Sequence, residues 1–336
     1  MNKHHLLILL LVFGSAGASA DIPEKFGSRL EEVRYPFQVN VFQFESQGQT
    51  LEMAYMDVIP DQPNGRVVLL LHGKNFNGYY WESTIRALIA SSYRVVVPDQ
   101  VGFGKSSKPE CYQFSFQQLA TNTMALLNHL GIEKVSVAGH SMGGMLATRL
   151  ALMFPDRIEK LALVNPIGLE DWKRLVPYHT VDQWYEDELK VTAAEQKRYQ
   201  TENYYHHQWK PEYDRWVRLA TGWLSSPEYP TVAWNSALTY DMIFTQPVCY
   251  EFSDLAMPTL LVVGSLDRTA LGKQWVSEEV RQTLGDYPAL AKKAASEIPK
   301  CQLEILEGVG HVPQLERPDL FFPLLLRFLQ TSPEAS

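Results

Sequence analysis

Gly139-His140-Ser141-Met142-Gly143-Gly144 lies near the middle of the chain, between two segments of different periodicity. Residues 135–138 form a short apolar run with valine at alternate positions, and residues 145–152 have helical composition and spacing. A strand, a sharp turn and a helix are therefore expected. A serine between two glycines in this setting is typical of a nucleophile elbow, because the glycines allow a tight turn that exposes the hydroxyl. The N-terminus of the helix would stabilise negative charge developing beside that serine.

The rest of the chain repeats the alternation of strands and helices. The first two predicted strands alternate apolar and polar residues and form a hairpin, whereas later strands are mostly apolar throughout, as in a sheet covered on both faces. The predicted strands are residues 37–44, 51–59, 66–71, 94–97, 135–138, 160–164, 258–263 and 302–306. The pattern predicts the α/β class, with a mostly parallel, doubly wound sheet of eight strands.

The alternation stops between residues 167 and 256. This segment has no short apolar strand and contains six tryptophans and nine tyrosines. It is too long and too aromatic for a loop, so we expect a helical cap inserted after the sixth strand, with some of its rings lining a pocket. The predicted division is therefore a signal peptide (1–20), a first core part (21–166), the cap (167–256) and a second core part (257–336).

The N-terminus has the pattern of a secretory signal peptide. Lys3 precedes an apolar run at residues 6–13, and Ala18-Ser19-Ala20 has the small residues of a cleavage site. The apolar run is far shorter than the ~20 residues of a membrane span. Cleavage before Asp21 is expected, followed by export to the periplasm, which we prefer, or to the medium, without stable membrane insertion. An uncleaved anchor is the alternative.

Composition argues against several other functions. The 336-residue chain has a formal net charge of −8, which disfavours nucleic acid and anionic membranes as partners. Neither a dinucleotide fingerprint nor a P-loop occurs in the sequence, so no cofactor is predicted. His206-His207 lacks partners at metal-ligand spacing, and no metal site is expected. Cys111, Cys249 and Cys301 leave one disulfide possible, and the oligomeric state is open.

A serine nucleophile needs a base, and the base needs a group that orients it. Asp267 and His311 each follow a later predicted strand, in the chain order Ser…Asp…His that accompanies this elbow. Ser141, Asp267 and His311 are thus the candidate catalytic residues. Glu170 and Asp171 remain alternative acids.

Three further polar residues are assigned supporting roles. His72 and His140 are expected to be structural, since a neighbouring position sends the His140 side chain away from that of Ser141. Asp99 is expected to brace the turn at residues 102–106.

Together these motifs resemble the α/β-hydrolase fold superfamily, of the capped α/β-hydrolase-1 type. The matching segments are His72-Gly73, Pro98-Asp99, Gly102–Ser106, Gly139–Gly144, Gly264–Asp267 and Gly310-His311. The resemblance implies an oxyanion hole built from the backbone N–H groups of Lys74 and Met142. The Lys74 side chain is expected to extend into solvent, the alternative being attraction of an acidic substrate group.

These observations predict an exported serine hydrolase whose partner is a small or medium carboxylic ester, a thioester or a lactone. Serine at position 141 disfavours dehalogenation and epoxide opening, because relatives with those activities carry aspartate there. One alternative is hydrolysis of a C–C bond in a diketone-like substrate by the same triad. Another is a non-catalytic protein that binds or senses a ligand under the cap.

Overall fold

The computed structural model describes residues 22–331, so the predicted signal peptide lies outside the described residues. Eight strands are found within that range. They are β1 (Val39–Ser46), β2 (Gln49–Val58), β3 (Val67–Leu71), β4 (Arg94–Pro98), β5 (Val135–His140), β6 (Ile158–Val164), β7 (Thr259–Gly264) and β8 (Cys301–Leu306).

All eight strands belong to one sheet, in the order β1-β2-β4-β3-β5-β6-β7-β8. Strand β2 is antiparallel to both of its neighbours, β1 and β4, while the remaining pairs are parallel. The prediction of a mostly parallel, eight-stranded sheet is confirmed. Because parallel strands end at the same edge, the loops after β3, β5, β6, β7 and β8 meet there.

Helices cover both faces of the sheet. They are α1 (Glu82–Ala90), α2 (Phe116–His129), α3 (Met142–Met153), α4 (Val181–Glu188), α5 (Ala193–Tyr199), α6 (Asp214–Thr221), α7 (Tyr229–Thr245), α8 (Glu278–Thr283), α9 (Tyr287–Glu297), α10 (Pro313–Glu316) and α11 (Pro318–Gln330). Leu69 and Leu71 of β3 pack into one apolar cluster, and Val68 and Leu70 into the other. Successive strand residues point to opposite faces, so two covered faces require an uninterrupted apolar run. None of the helices described between residues 22 and 331 is long and apolar enough to cross a bilayer.

Helices α4 to α7 lie between β6 and β7, in the segment with the many aromatic residues. Helix α4 begins with a capping box in which the Thr180 side chain accepts from the Gln183 N–H and the Gln183 side chain accepts from the Thr180 N–H. It packs against α7, where Trp184 stacks on Tyr240 with ring centroids 4.3 Å apart. We refer to residues 167–256 as the helical insertion. That this insertion forms a separate cap remains a prediction.

The segment 22–35 runs over both the insertion and the sheet domain. The Phe26 N–H donates to the Gly222 carbonyl at 3.2 Å, and the Ser28 N–H donates to Glu228 Oε2 at 2.9 Å. Further along, the Tyr35 hydroxyl donates to the buried Asp99 Oδ2 at 2.7 Å. These contacts join the segment to the insertion on one side and to the loop after β4 on the other.

Candidate active site

The turn between β5 and α3 places Ser141 at the carboxyl edge of the sheet. Ser141 has φ 56° and ψ −121°, a conformation that non-glycine residues rarely adopt. Glycine is required on either side of this serine because other backbone segments pass very close to the turn. A Cβ at Gly139 would lie 2.1 Å from the Gly143 carbonyl oxygen, and one at Gly143 would lie 2.2 Å from the Leu71 oxygen. Only glycine at these two positions allows the turn to close this tightly.

The structure brings the three candidate catalytic residues together. His311 Nε2 lies 3.0 Å from Ser141 Oγ, and His311 Nδ1 lies 2.7 Å from Asp267 Oδ2. The carboxylate can only accept, so Nδ1 carries the proton and Nε2 is free to accept from the serine hydroxyl. All three residues are buried. This arrangement suits a base that takes the serine proton while the carboxylate holds its tautomer.

Asp267 is fixed by two donors in addition to His311. Asn165 Nδ2 donates to Asp267 Oδ2 at 2.8 Å and also to the Gly310 carbonyl at 3.1 Å, while the Thr269 N–H donates to Asp267 Oδ1 at 2.8 Å. Asn165 is buried, with φ 39°, directly after β6. No role was predicted for this residue from the sequence. The available signal was an asparagine directly after a predicted strand, because asparagine adopts the left-handed region more often than most residues do.

The loop that carries His311 is held by a carboxylate that the sequence reasoning missed. Glu316 Oε2 accepts from the Gly310 N–H and Oε1 accepts from the Val312 N–H, both at 3.0 Å, so the carboxylate spans the two peptides around His311. Burial raises the pKa of Glu316 to about 7, against the lowering effect of those two hydrogen bonds.

Tyr204 of the helical insertion also contacts His311. The Tyr204 carbonyl accepts from the His311 N–H at 2.9 Å, and the two rings stack with centroids 4.9 Å apart. The Tyr204 hydroxyl accepts from Asn75 Nδ2 at 2.8 Å. Tyr204 ends a π-helical turn, Gln200–Tyr204, a feature often found at functional sites.

His140 supports the site without joining the triad. Its Nε2 donates to the His311 carbonyl at 2.8 Å, and its Nδ1 accepts from the Tyr80 hydroxyl at 3.0 Å. Burial, and then the proximity of His311, lower the pKa of His140 well below its usual value, so it stays neutral. His72 similarly bridges backbone groups: Nδ1 donates to the Gly73 carbonyl and Nε2 accepts from the Gln100 N–H.

The two backbone donors expected for the oxyanion hole are free. Within residues 22–331, neither the Lys74 N–H nor the Met142 N–H donates to a protein acceptor. Met142 is the first residue of α3, where backbone N–H groups have no partner within the helix. A Cβ built on Gly73 would lie 3.1 Å from Ser141 Cβ, so the loop after β3 passes directly beside the serine.

The Lys74 side chain does not extend into solvent, and that expectation was wrong. Lys74 is half-buried, and its Nζ donates to Ser236 Oγ of α7 at 2.6 Å and lies 3.4 Å from the centroid of the Tyr240 ring. Burial lowers the pKa of Lys74 to about 8, although Glu188 acts in the opposite direction. The contacts with Ser236 and Tyr240, both of the insertion, decide where the side chain lies.

A cavity of about 410 Å³ opens onto Ser141. The insertion supplies most of its apolar wall, namely Ile167, Trp172, Trp184, Tyr199, Tyr204, Tyr240 and Ile243. A second cavity of about 470 Å³ shares Lys74, Asn75, Tyr199 and Tyr240 with the first and extends towards Phe103. The volume and the mixture of aromatic and polar walls suit a small organic molecule.

Neither alternative acid bonds to His311. Glu170 Oε1 accepts from Trp172 Nε1 and from the Gly285 N–H, and Asp171 accepts from the Tyr250 hydroxyl and caps a short helical turn. Asp99 braces the loop after β4, where its Oδ2 accepts from the Lys105 N–H at 2.8 Å.

The two adjacent histidines and the three cysteines form neither a metal site nor a disulfide within the described residues. His206 and His207 are exposed, and no three histidine, cysteine, aspartate or glutamate side chains within residues 22–331 are grouped to hold a metal ion. Cys111, Cys249 and Cys301 all fall in the described range and are free thiols.

Known proteins resemble this chain to different extents. A probable hydrolytic enzyme from Pseudomonas aeruginosa is 52% identical, with a TM-score of 0.90 over 94% of this chain and 100% of that one. A putative non-heme chloroperoxidase from Synechocystis is 26% identical over 290 residues, which are 84% of this chain and 96% of the relative. An uncharacterized protein from Mycobacterium tuberculosis is 36% identical over 106 residues, and the match covers only 30% of its length.

Structures with lower identity share the fold. An esterase from Thermogutta terrifontis is 23% identical with a TM-score of 0.64, covering 87% of this chain and 98% of that one. The sequence profile of the alpha/beta hydrolase fold matches residues 66–318, about three quarters of the chain. The chain therefore belongs to the α/β-hydrolase fold family.

Proposed function

We propose that this protein is a serine hydrolase that cleaves a small or medium carboxylic ester, thioester or lactone. The observation that carries the proposal is the hydrogen-bonded chain from Ser141 Oγ, which lines the cavity, through His311 to Asp267. The 52% identical P. aeruginosa protein, described as a probable hydrolytic enzyme, supports the reaction class. Residues 1–20 lead us to propose export as well, with the periplasm preferred.

The proposed reaction has two steps. Ser141 Oγ attacks the substrate carbonyl carbon while His311 Nε2 takes the hydroxyl proton, and Asp267 stabilises the resulting imidazolium. The carbonyl oxygen becomes an anion that accepts from the Lys74 and Met142 N–H groups. Loss of one such donor typically removes about 3 kcal/mol of transition-state stabilisation.

The intermediate then collapses with transfer of a proton. The bond to the leaving oxygen or sulfur breaks, His311 donates its proton to that atom, and the acyl group remains on Ser141. His311 next takes a proton from water, whose oxygen attacks the acyl carbon. Breakage of the ester to Ser141 releases the acid, and His311 returns the proton to Oγ.

The test uses a fluorophosphonate probe and p-nitrophenyl esters of increasing acyl length. We expect labelling and turnover by the purified protein, and loss of both in Ser141→Ala, with kcat lowered by about 10⁵-fold or more. Ser296→Ala is the matched control, since Ser296 is an exposed serine on α9. Labelling without turnover of any ester would redirect the assignment to C–C substrates, and absence of both would favour a binding protein.

A further inference from the structure

The Lys74 ammonium is a cation that the protein partly buries without a counter-ion. Its Nζ donates to one neutral acceptor, Ser236 Oγ, and lies over the face of Tyr240. Within residues 22–331, no carboxylate forms an ion pair with it; Glu188 faces it only at longer range. Removing a charge from water without pairing it is unfavourable, so such a group is a candidate for ligand binding.

The Lys74 ammonium retains one N–H donor that no group in the described part of the chain uses. An ammonium has three donors, of which Ser236 uses one and the face of Tyr240 occupies a second. The other face of Tyr240 is stacked on Trp184, which holds the ring in place under the cation. One donor is therefore left for the cavity that Lys74 lines.

The position of this cation relative to the reacting atoms is set by the covalent chain. The backbone N–H of Lys74 is one of the two proposed oxyanion donors, and Nζ lies at the end of a four-carbon stem from the same residue. Lys74 lines both the cavity that contains Ser141 and the adjoining one. An anionic group a few bonds away from the scissile carbonyl would therefore reach Nζ.

Some of the other charged side chains around the cavity already have partners. Asp187 contacts His179 and a neighbouring lysine, and Glu195 accepts hydrogen bonds at the N-terminus of its own helix, α5. Arg198, at the rim, forms no ion pair within the described residues. Glu188 and Glu202, which also line the cavity, likewise form no ion pair within that part of the chain, and Lys74 is the cation whose backbone lies beside Ser141.

We propose that Lys74 Nζ binds a carboxylate on the substrate, so that the preferred substrates are esters carrying a free carboxylate a few bonds from the ester carbonyl. The proposal rests on the serine-hydrolase function above. It assigns Lys74 two separate contacts, a backbone donor for the oxyanion and a side-chain donor for the acid group.

The test compares acidic esters with neutral esters of equal shape. Mono-p-nitrophenyl glutarate is paired with p-nitrophenyl 5-methylhexanoate, in which an isopropyl group replaces the carboxylate on the acyl side. On the alcohol side, 3-acetoxybutyrate is paired with 4-methylpentan-2-yl acetate in a pH-stat. We expect the acid to be preferred in at least one pair by about tenfold or more in kcat/KM, since charge-assisted hydrogen bonds are stronger than neutral ones.

The variants assign that preference to Lys74. Lys74→Met keeps the backbone N–H and should reduce the ratio of acid to neutral ester to about one, while Lys74→Arg should retain part of it. Lys190→Met is the matched control, because Lys190 is an exposed rim lysine, and should leave the ratio unchanged. Preference for the neutral ester in both pairs, or an acid preference that survives in Lys74→Met, would overturn the proposal.

Failure of this inference is distinguishable from failure of the hydrolase function. Turnover of the neutral esters and Ser141-dependent probe labelling report the hydrolase alone. If turnover is slow, binding can be compared instead. We expect glutarate, which carries carboxylates, to protect Ser141 from the fluorophosphonate better than the neutral glutaramide does. Equal protection by the two compounds would refute the role of Lys74.

Discussion

Replacing Glu316 by alanine removes the carboxylate that spans the peptides on either side of His311. The Gly310 and Val312 N–H groups, each 3.0 Å from a Glu316 oxygen, would lose their acceptor. An unsatisfied buried donor costs about 1–3 kcal/mol. Because Glu316 is half-buried, water can reach part of the space, and we expect a total loss of about 2–3 kcal/mol in the free energy of unfolding.

Catalysis should suffer separately from stability. Greater freedom of the His311 loop would misplace Nε2 relative to Ser141 Oγ, now 3.0 Å away. Small errors in the position of a catalytic group lower rates strongly, and we expect kcat to fall by about tenfold to a hundredfold with KM nearly unchanged.

The pKa of Glu316 adds a dependence on pH. Burial raises it from 4.5 to about 7 in the folded protein. Between these pH values the folded protein keeps a proton on Glu316 that the unfolded chain has lost. Protonation of Glu316 therefore contributes fully to the free energy of unfolding below about pH 4.5, and this contribution is lost as the pH rises to about 7. Glu316→Gln should remove this decline relative to wild type.

The assay is urea denaturation from pH 4.5 to 8, with steady-state kinetics on the same samples. Glu279→Gln, an exposed residue of α8, is the control and should follow wild type at every pH. An unchanged unfolding free energy and kcat in Glu316→Ala would refute the claim that this carboxylate positions His311. If the unfolding free energy of Glu316→Gln still falls with pH as in wild type, groups other than Glu316 cause that fall.

Two further substitutions test the tight turn at Ser141 and the positioning of Asp267. Gly143→Ala would place a Cβ 2.2 Å from the Leu71 carbonyl oxygen, so we expect little soluble, folded protein, measured by yield and circular dichroism; a stable, active variant would contradict the close approach. Asn165→Gly suits the φ of 39° but deletes the hydrogen bonds to Asp267 and Gly310. It should lower kcat by about tenfold in a folded protein, and an unaltered kcat would show that Asp267 is held without Asn165.

Much of the fold could be predicted because its signals are local. The apolar run of β3 reflects the need to cover both faces of a parallel strand, and the glycines around Ser141 reflect a turn that admits no Cβ. The order of Ser141, Asp267 and His311 followed from the same topology, which brings the ends of separate strands to one edge.

The supporting residues could not be predicted in the same way. Asn165 and Asp267 lie 102 positions apart, and Lys74 and Ser236 lie 162 apart. No periodicity in the sequence pairs such positions, because each contact depends on how the loops and the insertion pack. The same applies to Tyr204, whose carbonyl and ring contact His311.

By itself, the sequence determined the α/β architecture, the turn at Ser141 and the three candidate catalytic residues, since periodicity and turn chemistry act over a few neighbouring residues. Only the tertiary structure decided that Glu316 holds the His311 loop and that the Lys74 ammonium faces the cavity rather than solvent. Those placements arise from packing between distant segments, where burial and hydrogen bonding select one position for each side chain.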